Sequence, residues 1–263
     1  MNNIDKILND FQNKFGVKPK PNKDIKVFLT GFKEFDEALC IGGIPRGKTT
    51  EISGAPGTGK SILAYYMIRE AQKEGAVVLY IDGDRKFDSA YAHKIGVKLE
   101  ELLICKPVSG DQVVQIIYYY LSSKLIDLII IDSIPALLPL EELLGEITNG
   151  SQAKLIATML KELMTEIENS RSALVCLNQV RYGLNSGTIT PFNNIFSYYA
   201  SVRVHLRKLK SIKKWRKLKG FLIEANIHKN RWGDRKTAQF ELPILNFAFG
   251  GFDNGKKEND SRT

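Results

Sequence analysis

The feature that most narrows the fold is a set of unbroken apolar runs. Ala76–Asp84 reads AVVLYIDGD, the stretch from Leu125 reads LIDLIIIDSI, and that from Ser172 reads SALVCLNQV. A strand with one wet face alternates apolar and polar residues, whereas a strand apolar throughout is covered on both faces. Between the runs lie segments with helical spacing: Ser61–Lys73, SAYAHKIGV, DQVVQIIYYYLSS and QAKLIATMLKELMTEIENS. Buried strands alternating with helices predict an α/β fold, a mostly parallel twisted sheet with helices on both faces. After Tyr198 the pattern changes. YASVRVHLRKLK, GFLIEANIH and TAQFELPILN read as antiparallel strands added at one side.

Residues 1–16 have helical spacing of Ile4, Ile7, Leu8, Phe11 and Phe15, followed by the Pro- and Lys-bearing GVKPKPNKD. The apolar face of this helix must dock on its own domain or on a neighbouring subunit. The expected division is helix and linker over 1–28, a core over 29–252, and a polar, disordered tail over 253–263. The mixed charge of MNNIDKILNDFQNKFG does not fit a secretory signal, and no apolar run reaches the roughly 18 residues of a membrane span. Cys40, Cys105 and Cys176 are odd in number and widely spaced, so they read as reduced core residues of a cytoplasmic protein without metal-ligand spacing. His93, His205 and His228 read as ordinary surface or strand residues.

The chain carries a net charge of +9. That favours a nucleic-acid partner first and a membrane surface second, or belongs to a merely basic soluble enzyme. The charge is concentrated in RVHLRKLKSIKKWRKLKG, Arg203–Gly220, which holds nine Lys and Arg and no acid. Interleaved lysines and one aromatic, Trp215, suit a nucleic-acid backbone plus a stacked base, where the plainer reading is a solvated hairpin.

Gly54–Ser61 reads GAPGTGKS between a strand and a helix. This is the phosphate-binding pattern G-x-x-x-x-G-K-[ST] in its required context. Gly54, Ala55, Pro56, Gly57, Thr58 and Gly59 form a loop whose N–H groups cradle phosphate oxygens, at the positive end of a helix. Lys60 is placed to reach the β- and γ-phosphates of ATP, and the Ser61 hydroxyl to ligate Mg²⁺. Asp132, ending an apolar strand, is the expected acidic partner for the metal. Asp82 and Asp84 end another strand and either orient a water or cap the next helix. Asn178 and Gln179 end a third, where their amides are placed to sense the γ-phosphate. Ligands of open parallel sheets gather at these carboxyl ends.

The order LTGFKEFDEALCIGGIPRGKTTEISGAPGTGKS, YIDGDRKFDSAYAHKIGV, DLIIIDSIPALLPLEELLGEI, LNQVR, YYASVRVHLRKL resembles the bacterial RecA recombinase family from about Thr30 to Gly250. The resemblance implies a RecA-type P-loop ATPase core, a DNA-dependent ATPase, and self-association into filaments or rings. It implies filaments on single-stranded DNA, homologous pairing with duplex DNA, and recombination mediator proteins as partners. By matching position, Asp88 and Tyr91 contact adenine and Gln179 couples the γ-phosphate to the loop after it. Lys229 and Arg231 reach the phosphates of a neighbouring subunit. In the DNA loops, Arg181, Gly183, Gly187, Ile189 and Phe192 are the expected contacts of RYGLNSGTITPFNNIF. Arg207 and Lys208 match an arginine pair of a second DNA site, with Lys210, Lys213, Lys214 and Arg216 following. GEITNGSQAK resembles the first DNA loop.

Three departures qualify the match. Asp84 stands where the family has a water-activating glutamate, which implies slow hydrolysis. The second loop is short and poor in charge. The family continues into a small C-terminal domain for which this sequence has no counterpart. The competing reading is an accessory ATPase of the same fold with little strand exchange; a ring-forming motor fits the order of motifs less well.

Overall fold

A computed structural model of the chain describes residues 3–16, 25–146, 149–183, 187–215 and 217–245. The expected tail over 253–263, the linker residues 17–24 and Arg216 lie outside the described residues. So do residues 147–148 of the first loop and 184–186 of the second.

In chain order the elements are α1 (Asn3–Phe15), β1 (Val27–Phe28), α2 (Lys33–Ala38), β2 (Ile44–Pro45), β3 (Thr49–Gly54) and α3 (Lys60–Lys73). Next come β4 (Val78–Asp82), α4 (Ser89–Ile95), β5 (Leu102–Cys105), α5 (Gly110–Ser123), β6 (Leu128–Asp132), α6 (Leu140–Leu143) and α7 (Ser151–Ser170). The chain continues through β7 (Ala173–Gln179), β8 (Arg181–Gly183), β9 (Gly187–Ile189) and α8 (Asn193–Tyr199). It closes with β10 (Val202–Lys214), β11 (Lys217–Asn230) and β12 (Thr237–Pro243).

The main sheet runs β12-β11-β10-β3-β7-β6-β4-β5 among the described residues. From β10 to β5 every pairing is parallel, and β11 and β12 add antiparallel strands at one edge. The expected α/β sheet is therefore present. β10 pairs antiparallel with β11 along its whole length, as expected, and its first residues, Val202–Leu206, also join β3 in parallel. The edge strand β5 and the short helices α2, α6 and α8 have too few residues to show a period, and the sequence pattern did not reveal them.

Unbroken apolar strands give two cores, one per face. Leu128 and Ile130 of β6 face α3, whose Leu63, Met67 and Ile68 are fully buried. Ile129 and Ile131 face α5 and α7 through Val113, Ile117, Met159 and Leu163. Between β3 and β10 the second face turns polar: Arg203 donates through Nε to buried Glu51 at 2.6 Å, and Asn178 donates to the other oxygen of Glu51 at 2.8 Å. Cys176 is buried, but Cys40 is exposed at the turn closing α2 and Cys105 is half-buried, so the expectation of three core cysteines holds for one. No helix among the described residues is long and apolar enough to cross a membrane.

The apolar face of α1 stays open: Ile7 is 65% exposed, Phe11 41% and Phe15 58%. Of its two expected partners, the chain's own core does not cover it.

Candidate nucleotide and nucleic-acid site

β3 delivers the loop and α3 receives it. Gly59 caps α3 in the left-handed region at φ 87°, and a Cβ there would collide with Leu242 Cδ2 of β12. A Cβ on Gly54 would lie 2.8 Å from Thr58 Oγ1 and 2.9 Å from the Leu206 carbonyl. Two of the three glycines thus allow close packing of the loop against β10 and β12 as well as leaving its amides free of side chains. Thr58 closes the turn by donating its hydroxyl to the Ala55 carbonyl at 2.9 Å.

Lys60 is buried, and its ammonium donates to the carbonyls of Gly54 at 2.8 Å and Ala55 at 3.0 Å. Burial lowers its pKa to about 8, against the pull of Asp132 and Asp84. Asp132 is also buried. Desolvation raises its pKa, and hydrogen bonds from the Ser61 and Tyr80 hydroxyls oppose that rise. The Tyr80 hydroxyl donates to Asp132 Oδ2 at 2.6 Å. A hydroxyl and a carboxylate side by side at a helix N-terminus are the hard oxygen pair that suits Mg²⁺ beside a nucleotide's phosphates.

The two carboxylates left open by sequence separate cleanly. Asp82 is buried and accepts the N–H groups of Lys86 at 2.8 Å and Phe87 at 3.2 Å, holding the turn ahead of α4 rather than capping the helix. Asp84 turns the other way. Its Oδ2 accepts from Ser133 Oγ at 3.2 Å and from Gln179 Nε2 at 3.3 Å. Asp84, Ser133 and Gln179 thus form one cluster across the ends of three elements, and Gln179 is the rung beside Gly54. Ser133 was absent from the sequence-based candidates; its place next to Asp132 was the only clue.

Asn178, expected to sense phosphate, instead lies fully buried and donates to Glu51 and to the Pro191 carbonyl at 2.8 Å each. Side chains alternate along a strand, so neighbours 178 and 179 face opposite ways. Asp88 caps α4 by accepting from Tyr91 N–H at 2.9 Å. Tyr91, expected as an open platform for adenine, is only 9% exposed, packs beside Tyr65, and accepts the Leu245 N–H at 3.2 Å. Little of its ring face is open to a base.

Lys229 is opposite Arg203, which is opposite Glu51, three residues before the loop. That places it about 10 Å down the sheet from Gly54. Its ammonium donates to the Ser197 carbonyl at 2.7 Å, and burial with nearby Arg231 and Arg203 lowers its pKa. Arg231 lines a cleft with Lys48, Thr49 and Tyr199 at the opposite end of β3. Neither is brought to the phosphate loop of its own chain.

β8 and β9 pair as a small hairpin rising from the same sheet end as Gln179, carrying Arg181, Gly183, Gly187 and Ile189 in its backbone. Phe192, which with Ile189 was expected as a wedge between bases, is half-buried against the α5–α7 core and opens α8. Arg207 forks onto Glu224 Oε1 at 3.0 and 2.8 Å, and Lys208 lies 4.3 Å over the Phe221 ring. Lys210, Lys213 and Lys214 are exposed farther along β10.

A family model of the RecA N-terminal domain matches residues 2–246. The chain is 37% identical over 231 residues to Protein RecA of Rickettsia canadensis (strain McKiel), covering 85% of this chain and 67% of that protein. It is 38% identical over 231 residues to Protein RecA of Rickettsia bellii (strain RML369-C), with the same coverage. Protein RecA of Oleidesulfovibrio alaskensis is 36% identical over 228 residues, covering 83% of this chain and 65% of that protein.

Proposed function

The chain belongs to the RecA family, and from that premise we propose that it is an ATP-dependent DNA recombinase. It assembles on single-stranded DNA and promotes homologous pairing with duplex and strand exchange in DNA repair. The observation that carries this reading is the meeting of Asp84, Ser133 and Gln179 beside the phosphate loop, at the sheet end from which the β8–β9 hairpin also rises.

The loop amides and Lys60 hold the phosphates, and Ser61 and Asp132 hold Mg²⁺. ATP, when bound, supplies the phosphoryl group to be transferred. Asp84 orients the attacking water and Gln179 reads the state of the phosphate beside it. Asp84 is one methylene shorter than the family's glutamate, about 1.5 Å, and misplacement of that order costs around 100-fold. Hydrolysis is therefore slow. Lys229 and Arg231, far from their own loop, serve a neighbour's nucleotide. Arg181 and the glycine amides of the β8–β9 hairpin, with the basic residues of the β10–β11 hairpin, hold the DNA backbone.

Self-association has two unmatched surfaces to use. One is the apolar face of α1. The other is the β5 edge, where Leu103, Ile104, Val108, Tyr118, Tyr119 and Leu125 are exposed. Different patches meeting head to tail generate an open helix rather than a closed dimer. Electron microscopy with ATP and single-stranded DNA tests the proposal. Helical filaments that Lys60→Ala abolishes are expected; absence of any assembly overturns it.

A further inference from the structure

β10 runs parallel to β3 only as far as the Leu206–Gly54 rung, then continues for eight more residues to Lys214. At about 3.3 Å per residue, that overrun is on the order of 25 Å. β12 accompanies β11 no farther than the Gly220–Pro243 rung. The last rungs, Lys213–Leu218 and Lys214–Lys217, therefore belong to a two-stranded arm. The arm leaves the main sheet at the end where the phosphate loop and the β8–β9 hairpin stand.

Trp215 occupies the apex in the left-handed region at φ 52° and is 88% exposed. Lys213, Lys214, Lys217 and Lys219 precede and follow it along the two strands of the arm, all exposed. A flat aromatic ring within a cluster of cations matches the two faces of a single strand, phosphate and bare base. A duplex keeps its bases stacked on one another and offers only the phosphates. The tip reaches the phosphate loop through the β-ladder, at the rung where Leu206 meets Gly54 and through Leu242 of β12, which packs on Gly59. A β-ladder is formed whether or not nucleotide occupies the loop.

We infer that Trp215 is a base-stacking contact for single-stranded DNA that works without nucleotide. It would hold a strand before ATP engages the β8–β9 hairpin, and it rests on the DNA-binding function proposed above. Stacking on one aromatic ring strengthens binding on the order of tenfold.

The test is the emission of Trp215, taken as the difference between the unaltered chain and Trp215→Phe, during titration with a dye-labelled oligothymidylate whose anisotropy reports binding. Emission should be quenched without nucleotide, and equally with a non-hydrolysable ATP analogue. Trp215→Ala should weaken nucleotide-free binding about tenfold, Trp215→Phe should restore most of it, and duplex DNA should quench far less. Binding by anisotropy with unmoved Trp215 emission, or quenching that requires the ATP analogue, overturns the inference while leaving the recombinase reading intact. Failure to bind DNA under any condition overturns both.

Discussion

In the proposed mechanism Asp84 is the residue on which turnover depends. Its Oδ2 already receives Ser133 and Gln179, so the carboxylate is oriented but set back. Asp84→Glu is expected to speed ATP hydrolysis by one to two powers of ten, while Asp84→Asn, which keeps the shape and loses the base, should abolish it. Phosphate release under DNA saturation measures both. Lys60 gives a second prediction. Its pKa sits at about 8 because burial disfavours the ammonium, so as pH rises through that value the free chain loses the charge that phosphate needs. Affinity for a fluorescent ATP analogue should fall between pH 7 and 9.5, and Lys60→Ala should bind weakly at every pH. Which residues were legible follows from what each position requires. The loop, Ser61 and Asp132 could be proposed from sequence because phosphate and metal demand those types at that spacing. The burial of Asn178, Phe192 and Tyr91 was not legible, because spacing tells which end of a strand or helix a residue occupies but not which side chain the core takes. Ser133 was overlooked because a lone serine carries no pattern.

The elements were legible in proportion to their periodicity. The long helices and buried strands announced themselves, whereas β5 and the four-residue α6 depend on tertiary neighbours. The parallel pairing of β10 with β3 was invisible too, since a strand's sequence records which residues are covered and not which way the adjacent strand runs. α1 is the opposite case: its period was plain, but only the structure shows that its apolar face stays open. Replacing Phe11 and Phe15 with Asp should prevent assembly, read as sedimentation with ATP and DNA. The melting temperature of the core should be unchanged, because neither ring is buried in it.

For the molecule as a whole, the charge of +9 matters through its placement. Most of it lies along the β10–β11 arm, so DNA affinity should depend steeply on salt. Changing Lys210, Lys213, Lys214 and Lys217 together to Gln removes up to four phosphate contacts. At about 0.7 per contact for single strands, the slope of log affinity against log salt should become shallower by roughly three. An unchanged slope places the strand elsewhere. The pairing of β3 with β7 has a mechanical corollary. Gly54 and Gln179 are rungs of one ladder, and β8 begins two residues after Gln179. With no slack between them, any sideways travel of the glutamine swings the small hairpin like an oar in its lock, and a strand lying across that hairpin pulls back on the nucleotide pocket.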